Sequence, residues 1–243
     1  MWHGKKVAVI FPTFREKKSI KSVIREFDRS GYVDELIVVD NNAEEGTVEE
    51  VKKTRAKIVY EKRQGYGHAI RKGLSSTYAD LLIVAEPDGT FDGNDIIKLL
   101  SYSDDFDLVL GSRTHVSLIH KGSDMTSVKQ ILAIWLAKMA TWLFFCPLLT
   151  DLGCTLRLTH RTAWRRIEKE VRGGDWIFSI KWILVAVMRK VHYIQIPVNF
   201  RARVGTSSFV GTFIKKAIWG MNEFFYIWYL WFRFQYEKYY RTH

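Results

Sequence analysis

Cysteine and proline are both scarce in this 243-residue chain: two Cys, at 146 and 154, and four Pro. Two thiols are too few for a disulfide framework and are not spaced like a zinc pair, so they read as small packing residues in a reducing compartment. Long apolar runs are also missing. Residues 131–149 come closest, but Lys138 and Thr141 interrupt them and Pro147 ends them. A spanning helix needs about 20 mostly apolar residues, so this segment reads as buried or interfacial. Residues 1–9 hold no apolar stretch of signal-peptide length, which predicts a chain not exported by that route. Acidic side chains are outnumbered, 26 against 37 Lys and Arg, for a net charge of +11. That excess calls for an anionic partner, whether nucleic acid, lipid or a phosphorylated substrate.

What is present is a core and a rhythm. Hydrophobic residues make up 47% of the chain. Residues 7–11, 35–40, 56–60, 81–85 and 107–110 are short Val/Ile/Leu-rich runs that end in polar or glycine-containing turns, the pattern of buried strands. Residues 19–29, 47–54, 68–76 and 94–101 between them read as helices with charged outer faces. Alternating strand and helix predict an α/β fold with a mostly parallel sheet, whose ligands bind beyond the C-terminal strand ends. The second half predicts an apolar helix over 127–146, a strand over 155–158, an apolar helix over 176–188 and a strand over 192–197. A polar loop over 201–211 then leads into an aromatic-rich final helix. Neither a repeat nor a low-complexity linker divides the chain.

Chemistry-bearing residues fall at the predicted strand ends. Glu86 and Asp88 straddle one proline, and two carboxylates so placed can face one hard divalent cation, magnesium or manganese. An acidic turn would show the same spacing. Asp40 closes a strand and can accept hydrogen bonds from a base or ribose. Gly65 and Gly67 precede a helix start, which offers close backbone approach and free N–H groups to an anion.

In order along the chain stand Phe11-Pro12-Thr13-Phe14-Arg15-Glu16, Val39-Asp40-Asn41-Asn42 with Gly46-Thr47, Gly65-Tyr66-Gly67-His68-Ala69 and Glu86-Pro87-Asp88. Gly111-Ser112-Arg113, Asp151-Leu152-Gly153-Cys154 with Arg157, and Ile196-Pro197-Val198 with Arg203-Val204-Gly205-Thr206-Ser207 follow. This series resembles the family 2 glycosyltransferases of the GT-A fold, and within them the polyprenyl-phosphate sugar synthases such as the dolichol-phosphate mannose synthases. The resemblance implies a Rossmann-like, mostly parallel sheet flanked by helices over 1–211, and a C-terminal amphipathic, membrane-associating helix over 212–243. It implies transfer of a hexose of the mannose or glucose type, with inversion, from a nucleotide-sugar to a polyprenyl or dolichyl phosphate, using Mg2+ or Mn2+. By the same resemblance Pro12, Phe14, Glu16, Asp40, Asn42, Arg63, Gly67 and Ser207 serve the nucleotide-sugar. Asp88, with Glu86 beside it, holds the metal, and Arg203 lies on a loop over the donor diphosphate. Arg113 and Lys129 meet the acceptor phosphate, and Asp151 lies where a base or acceptor contact stands in relatives that act on sugar hydroxyls.

This sequence departs from the pattern at Glu86, where Asp is usual, at Asn41, where a second Asp is common, at Ser208, where many relatives carry Lys, and at Lys181, often Glu. Two other readings stay open: a glycan or protein hydroxyl as acceptor, and a subunit without turnover. The segment 219–240 interleaves aromatic rings with cations, which suits a lipid headgroup zone or a contact with another subunit. The implied location is the cytoplasmic face of a membrane, with a membrane subunit or a second copy as further partners. No nucleic-acid recognition motif accompanies the charge.

Overall fold

The computed structural model describes the backbone of residues 1–205 and 213–242, and the side chains of 1–205, 218 and 220–240. Ser207, Ser208 and the boundary predicted at 211/212 lie outside the described residues. The strands are β1 (Val7–Thr13), β2 (Glu35–Asp40), β3 (Lys57–Tyr60), β4 (Leu81–Val84), β5 (Leu108–Ser112), β6 (Arg157–His160) and β7 (Tyr193–Pro197). The helices are α1 (Ile20–Asp28), α2 (Thr47–Lys52), α3 (Tyr66–Ser75), α4 (Ile96–Tyr102), α5 (Ser127–Phe144), α6 (Arg161–Ile167), α7 (Phe178–Met188) and α8 (Phe213–Thr242).

The strands form one sheet in the order β3-β2-β1-β4-β6-β5-β7. Both faces are covered, so successive strand residues feed two separate cores. From β1, Ala8 and Ile10 join the cluster that includes α3, α5, α6, α7 and α8, while Val7, Val9 and Phe11 join the one under α1 and α4.

Strand β6 is the exception to parallel pairing. It runs antiparallel to β4 and β5, and Arg157 is the register partner of both Val84 and Leu110. The start of β6 therefore lies at the same sheet edge as the ends of β1, β2, β4 and β5. Residues 151–154, 86–88 and 111–113 converge there, although 65 residues of chain separate Glu86 from Asp151.

Two expectations need correction, and one helix is new. The strand expected over 155–158 runs Arg157–His160, because residues 154–156 are irregular backbone whose carbonyls serve other groups: Leu156 O accepts Gly111 N at 2.9 Å and Cys154 O accepts Arg157 Nη2 at 2.5 Å. Helix α6 follows β6 directly and had no sequence expectation. The helix expected over 94–101 begins as a 3-10 turn, with the Asp92 side chain accepting Asn94 N at 2.9 Å.

The apolar helix α5 and the aromatic-rich helix α8 each have two faces. On α5, Leu136, Ala137, Ala140 and Leu143 are buried, whereas Val128, Ile131, Leu132, Trp135 and Trp142 are exposed. On α8, Ile227 and Leu230 are fully buried, and Phe225, Tyr229, Phe232 and Tyr236 are exposed. Phe224 of α8 stacks on Trp135 of α5 with centroids 6.0 Å apart, and Phe234 meets Phe144 at 5.8 Å. A ring of four charges ties α8 to the body. Arg189 pairs with Glu170 at 2.6 Å and Glu237 at 2.7 Å, and Arg233 pairs with the same two carboxylates at 2.7 and 2.9 Å. Among the described residues no helix is long and apolar enough to cross a membrane.

Candidate active site

The turn after β1 is held by Glu16. One carboxylate oxygen accepts Thr13 Oγ1 at 3.0 Å, Phe14 N at 2.6 Å and Arg15 N at 2.8 Å. Asn41 N donates to Thr13 O at 3.1 Å, joining this turn to the end of β2. Asp40 Oδ1 accepts Ala43 N at 2.8 Å, and Asn42 takes a left-handed backbone with φ of 57°. Pro12 pairs in register with Val39 and Thr13 with Asp40. The structure thus brings Pro12, Phe14, Glu16, Asp40 and Asn42 to adjoining strand ends. Arg63 lies on the neighbouring loop, largely exposed and paired with Glu61 at 3.2 Å.

That loop is fastened by Asn41, which sequence reasoning had noted only as a departure. Its buried amide donates to Glu61 O and Arg63 O, both at 2.8 Å, and its oxygen accepts Gly65 N at 2.8 Å. An Asp could accept from Gly65 but could not donate to two carbonyls, which is a physical reason for the amide. Gly67 has a different use from the one its position before a helix suggested. Its N–H donates to Gly174 O at 3.3 Å, and a Cβ there would lie 2.3 Å from Gly173 O and 2.5 Å from Phe178 Cδ2. The glycine is required by close packing of two loops, and its amide is spent inside the protein.

At the end of β4, Asp88 is 1% exposed. Its Oδ1 accepts Thr90 N at 2.9 Å and Thr90 Oγ1 at 2.6 Å, while Oδ2 has no hydrogen-bond partner among the described residues. A buried carboxylate oxygen left without a donor is costly unless a cation faces it. Burial, then the charge of Asp88, push the Glu86 carboxyl well above the usual carboxylate range. Two adjacent hard oxygen donors, one of them without a hydrogen bond among the described residues and faced by the Arg203 guanidinium at 2.6 Å, fit a divalent cation such as Mg2+, which is held by one or two carboxylates plus substrate phosphates and water. No cluster of three His, Cys, Asp or Glu side chains suited to a metal occurs among the described residues. Tyr66, in the motif that opens α3, presents a buried hydroxyl without a hydrogen-bond partner among the described residues, and burial and the charge of Glu86 raise its phenol well above the usual value.

Arg203 reaches the same carboxylates, 2.6 Å from Asp88 Oδ2 and 3.3 Å from Glu86 Oε2. At the same sheet edge Arg113 forms a fork on Asp151, Nε to Oδ2 at 2.8 Å and Nη2 to Oδ1 at 3.0 Å. Burial raises the Asp151 carboxyl, but the charge and bonds of Arg113 outweigh it and hold it below its ordinary value. Arg113 in turn lies with its guanidinium 5.3 Å from the centroid of Phe200, and it senses the charge of Glu86. Lys129, in the first turn of α5, donates to Asp124 O at 2.8 Å. The next residue, Gln130, donates to Thr114 O at 2.6 Å, so the start of α5 is tied beside Arg113.

Residues 8–163, more than half of the chain, match the sequence model of glycosyl transferase family 2. The chain belongs to that family. Over 118 residues it is 33% identical to an uncharacterized glycosyltransferase of Mycobacterium tuberculosis, a match that covers 48% of this chain and about half, 53%, of that relative. It is 24% identical over 201 residues to the dolichyl-phosphate hexose transferase of Haloferax volcanii, covering 82% of this chain and 84% of that one. It is 23% identical over 220 residues to human dolichyl-phosphate β-glucosyltransferase, covering 81% and 67%. Among solved structures, glucosyl-3-phosphoglycerate synthase of Mycobacterium tuberculosis in complex with UDP superimposes with a TM-score of 0.69 at 15% identity, over 94% of this chain and 80% of that one. This likeness establishes the GT-A type of fold for the family 2 chain. The same synthase has been solved with Mn2+ and UDP.

Proposed function

We propose that this family 2 chain transfers a hexose, with inversion, from a nucleotide-sugar to a polyprenyl or dolichyl phosphate at a membrane surface. The observation that carries the reading is one sheet edge that brings together an acidic seat, Glu86 and Asp88, and a largely buried cation, Arg113, beside two helices with exposed aromatic faces. Relatives named for transfer to dolichyl phosphate support it, as does the synthase solved with UDP and Mn2+.

A divalent cation held by Asp88 and Glu86 would neutralise the diphosphate as it leaves the sugar. The chain's own residues would do the rest. Pro12, Phe14, Glu16, Asp40, Asn42 and Arg63 lie where the nucleotide would be received, and Ser207 completes that set by resemblance. Arg203 would meet the diphosphate. Arg113, kept charged by Asp151, would receive the acceptor phosphate on the guanidinium edge that Asp151 does not use, with Lys129 nearby. A phosphate is ionised at neutral pH, so alignment and charge neutralisation suffice for attack on the anomeric carbon. Asp151 has both oxygens engaged, by Arg113 and by Gly153 N at 3.0 Å, and is held ionised. A carboxylate so committed is a weak base, which favours a phosphate over a hydroxyl acceptor.

The exposed aromatic and apolar faces of α5 and α8 suit insertion into a headgroup layer, and the positive chain suits anionic lipid. Incubation with labelled GDP-mannose or UDP-glucose and either a short polyprenyl phosphate or soluble glycans tests the proposal. Lipid-linked product of inverted anomeric configuration is expected, and product with soluble glycans alone would overturn it.

A further inference from the structure

This sheet edge holds two arginine–aspartate pairs built differently. Arg113 and Asp151 form a planar fork with both oxygens hydrogen-bonded. Arg203 Nη1 lies 2.6 Å from Asp88 Oδ2, yet that oxygen and Arg203 Nε are both buried without a hydrogen-bond partner among the described residues. The second pair is held by charge and not by the bidentate geometry that makes arginine–carboxylate pairs strong.

The backbone delivers Arg203 to this place. Arg201 N donates to Thr90 O at 2.7 Å and Val204 N donates to Asp88 O at 2.8 Å, so the strap on either side of Arg203 is stitched to the turn after β4. The Arg201 side chain pairs with Glu26 at 2.8 Å and with Asp92. Arg203 Nε also faces Asp124 Oδ2 at 4.0 Å. Three carboxylates thus surround one guanidinium at the seat that fits a divalent cation.

A guanidinium 2.6 Å from Asp88 Oδ2 stands where a divalent cation on that oxygen would have to approach, and the two positive charges would repel and compete for the same carboxylate. We propose that Arg203 is the resident counter-ion of the Glu86–Asp88 seat, excluding a divalent cation until a nucleoside diphosphate receives the guanidinium. Arg203 thereby couples metal binding to nucleotide binding, and the coupling is reciprocal because it is a single free energy shared by two ligands. The inference rests on the proposed nucleotide-sugar site and adds an order to its filling.

The test is Mn2+ binding followed by the electron paramagnetic resonance of the free ion, with and without UDP or GDP. Wild type, Arg203→Ala, Arg203→Gln, Asp88→Asn and Arg203→Ala combined with Asp88→Asn are compared, with a thermal melt of each. Without nucleotide, Arg203→Ala should bind Mn2+ about 10-fold more tightly than wild type, and nucleotide should enhance that binding less than it does in wild type. Should Arg203→Ala melt below the assay temperature, Arg203→Gln carries the same expectation, since it keeps most of the stem and removes the charge. The gain should vanish in Arg203→Ala combined with Asp88→Asn. Mn2+ affinity in both Arg203 variants equal to or weaker than wild type, without nucleotide, overturns the counter-ion proposal and leaves the donor reading standing if UDP or GDP still binds. No Mn2+ binding by any variant, with or without nucleotide, overturns both.

Discussion

Asp151 and Arg113 form the best-bonded ion pair of the site: Arg113 gives Asp151 its Nε, its Nη2 and its backbone N–H, at 2.8, 3.0 and 3.0 Å. Asp151 is completely buried and Arg113 nearly so, with 19% of its side chain exposed. Removing one partner of such a pair strands the other's charge, at about 3–5 kcal/mol. Asp151→Ala should therefore lower unfolding free energy by about that amount in urea denaturation. Arg113→Lys should fold better than Arg113→Ala yet raise KM for polyprenyl phosphate, because an ammonium cannot hold Asp151 by a fork and present a further edge to a phosphate. Nucleotide affinity should stay near wild type in Arg113→Lys, as measured by calorimetry with UDP or GDP.

Asn41→Asp tests the amide that fastens residues 61–65. The substitution turns two donated hydrogen bonds into two carboxylate–carbonyl repulsions in a site 3% exposed. A loss of about 2–3 kcal/mol is expected in chemical denaturation. Asn41→Ala should cost no more than Asn41→Asp, since it removes the donors without adding a charge.

Glu223 provides the pH dependence. It lies on α8, facing Asp151 and Arg113, and burial, with Asp151 next, pushes its carboxyl from an ordinary 4.5 up to about 7. A raised carboxyl favours the protonated folded form. Below the unfolded value both states are protonated and nothing is lost. Between about 4.5 and about 7 the unfolded chain ionises while the folded state keeps its proton, so stability falls across that window and the loss is complete above about 7. Denaturation midpoints should show Glu223→Gln matching wild type near pH 4 and exceeding it at pH 8, by about 1–3 kcal/mol in unfolding free energy.

The exposed aromatic faces make a prediction that separates folding from membrane binding. Trp142 is 68% exposed and Phe232 61%, so exchanging both for Ser should leave the melting temperature within about 2 °C of wild type. Co-sedimentation with vesicles of phosphatidylserine and phosphatidylcholine should fall severalfold. Activity toward a short, water-soluble polyprenyl phosphate should persist.

Much of the architecture is legible in the residues. Runs such as Leu36–Val39 and Leu81–Val84 are apolar throughout because parallel strands are buried on both faces, and that continuity announces them. Asp40, Glu86, Asp88 and Arg113 stand directly after such runs, so their place at one sheet edge follows from the fold class. Strand β6 is legible only in part: a strand is expected over 155–158, but its shift to Arg157–His160 and its antiparallel place depend on pairing with β4 and β5, tens of residues away.

What the sequence by itself determined is the family, the alternation of strand and helix, and the collection of charged groups at strand ends. These follow from local periodicity and from motifs whose order survives in the chain. Tertiary structure decided which of those groups neutralise one another: Arg203 on Asp88 across 115 residues, Arg113 on Asp151 across 38, and the donor pair of Asn41 across the loop to Glu61 and Arg63. It also divided α5 and α8 into a packed face and an exposed one. Electrostatic and packing energies fall off within a few ångströms, so they depend on distances in space that spacing along a chain does not contain.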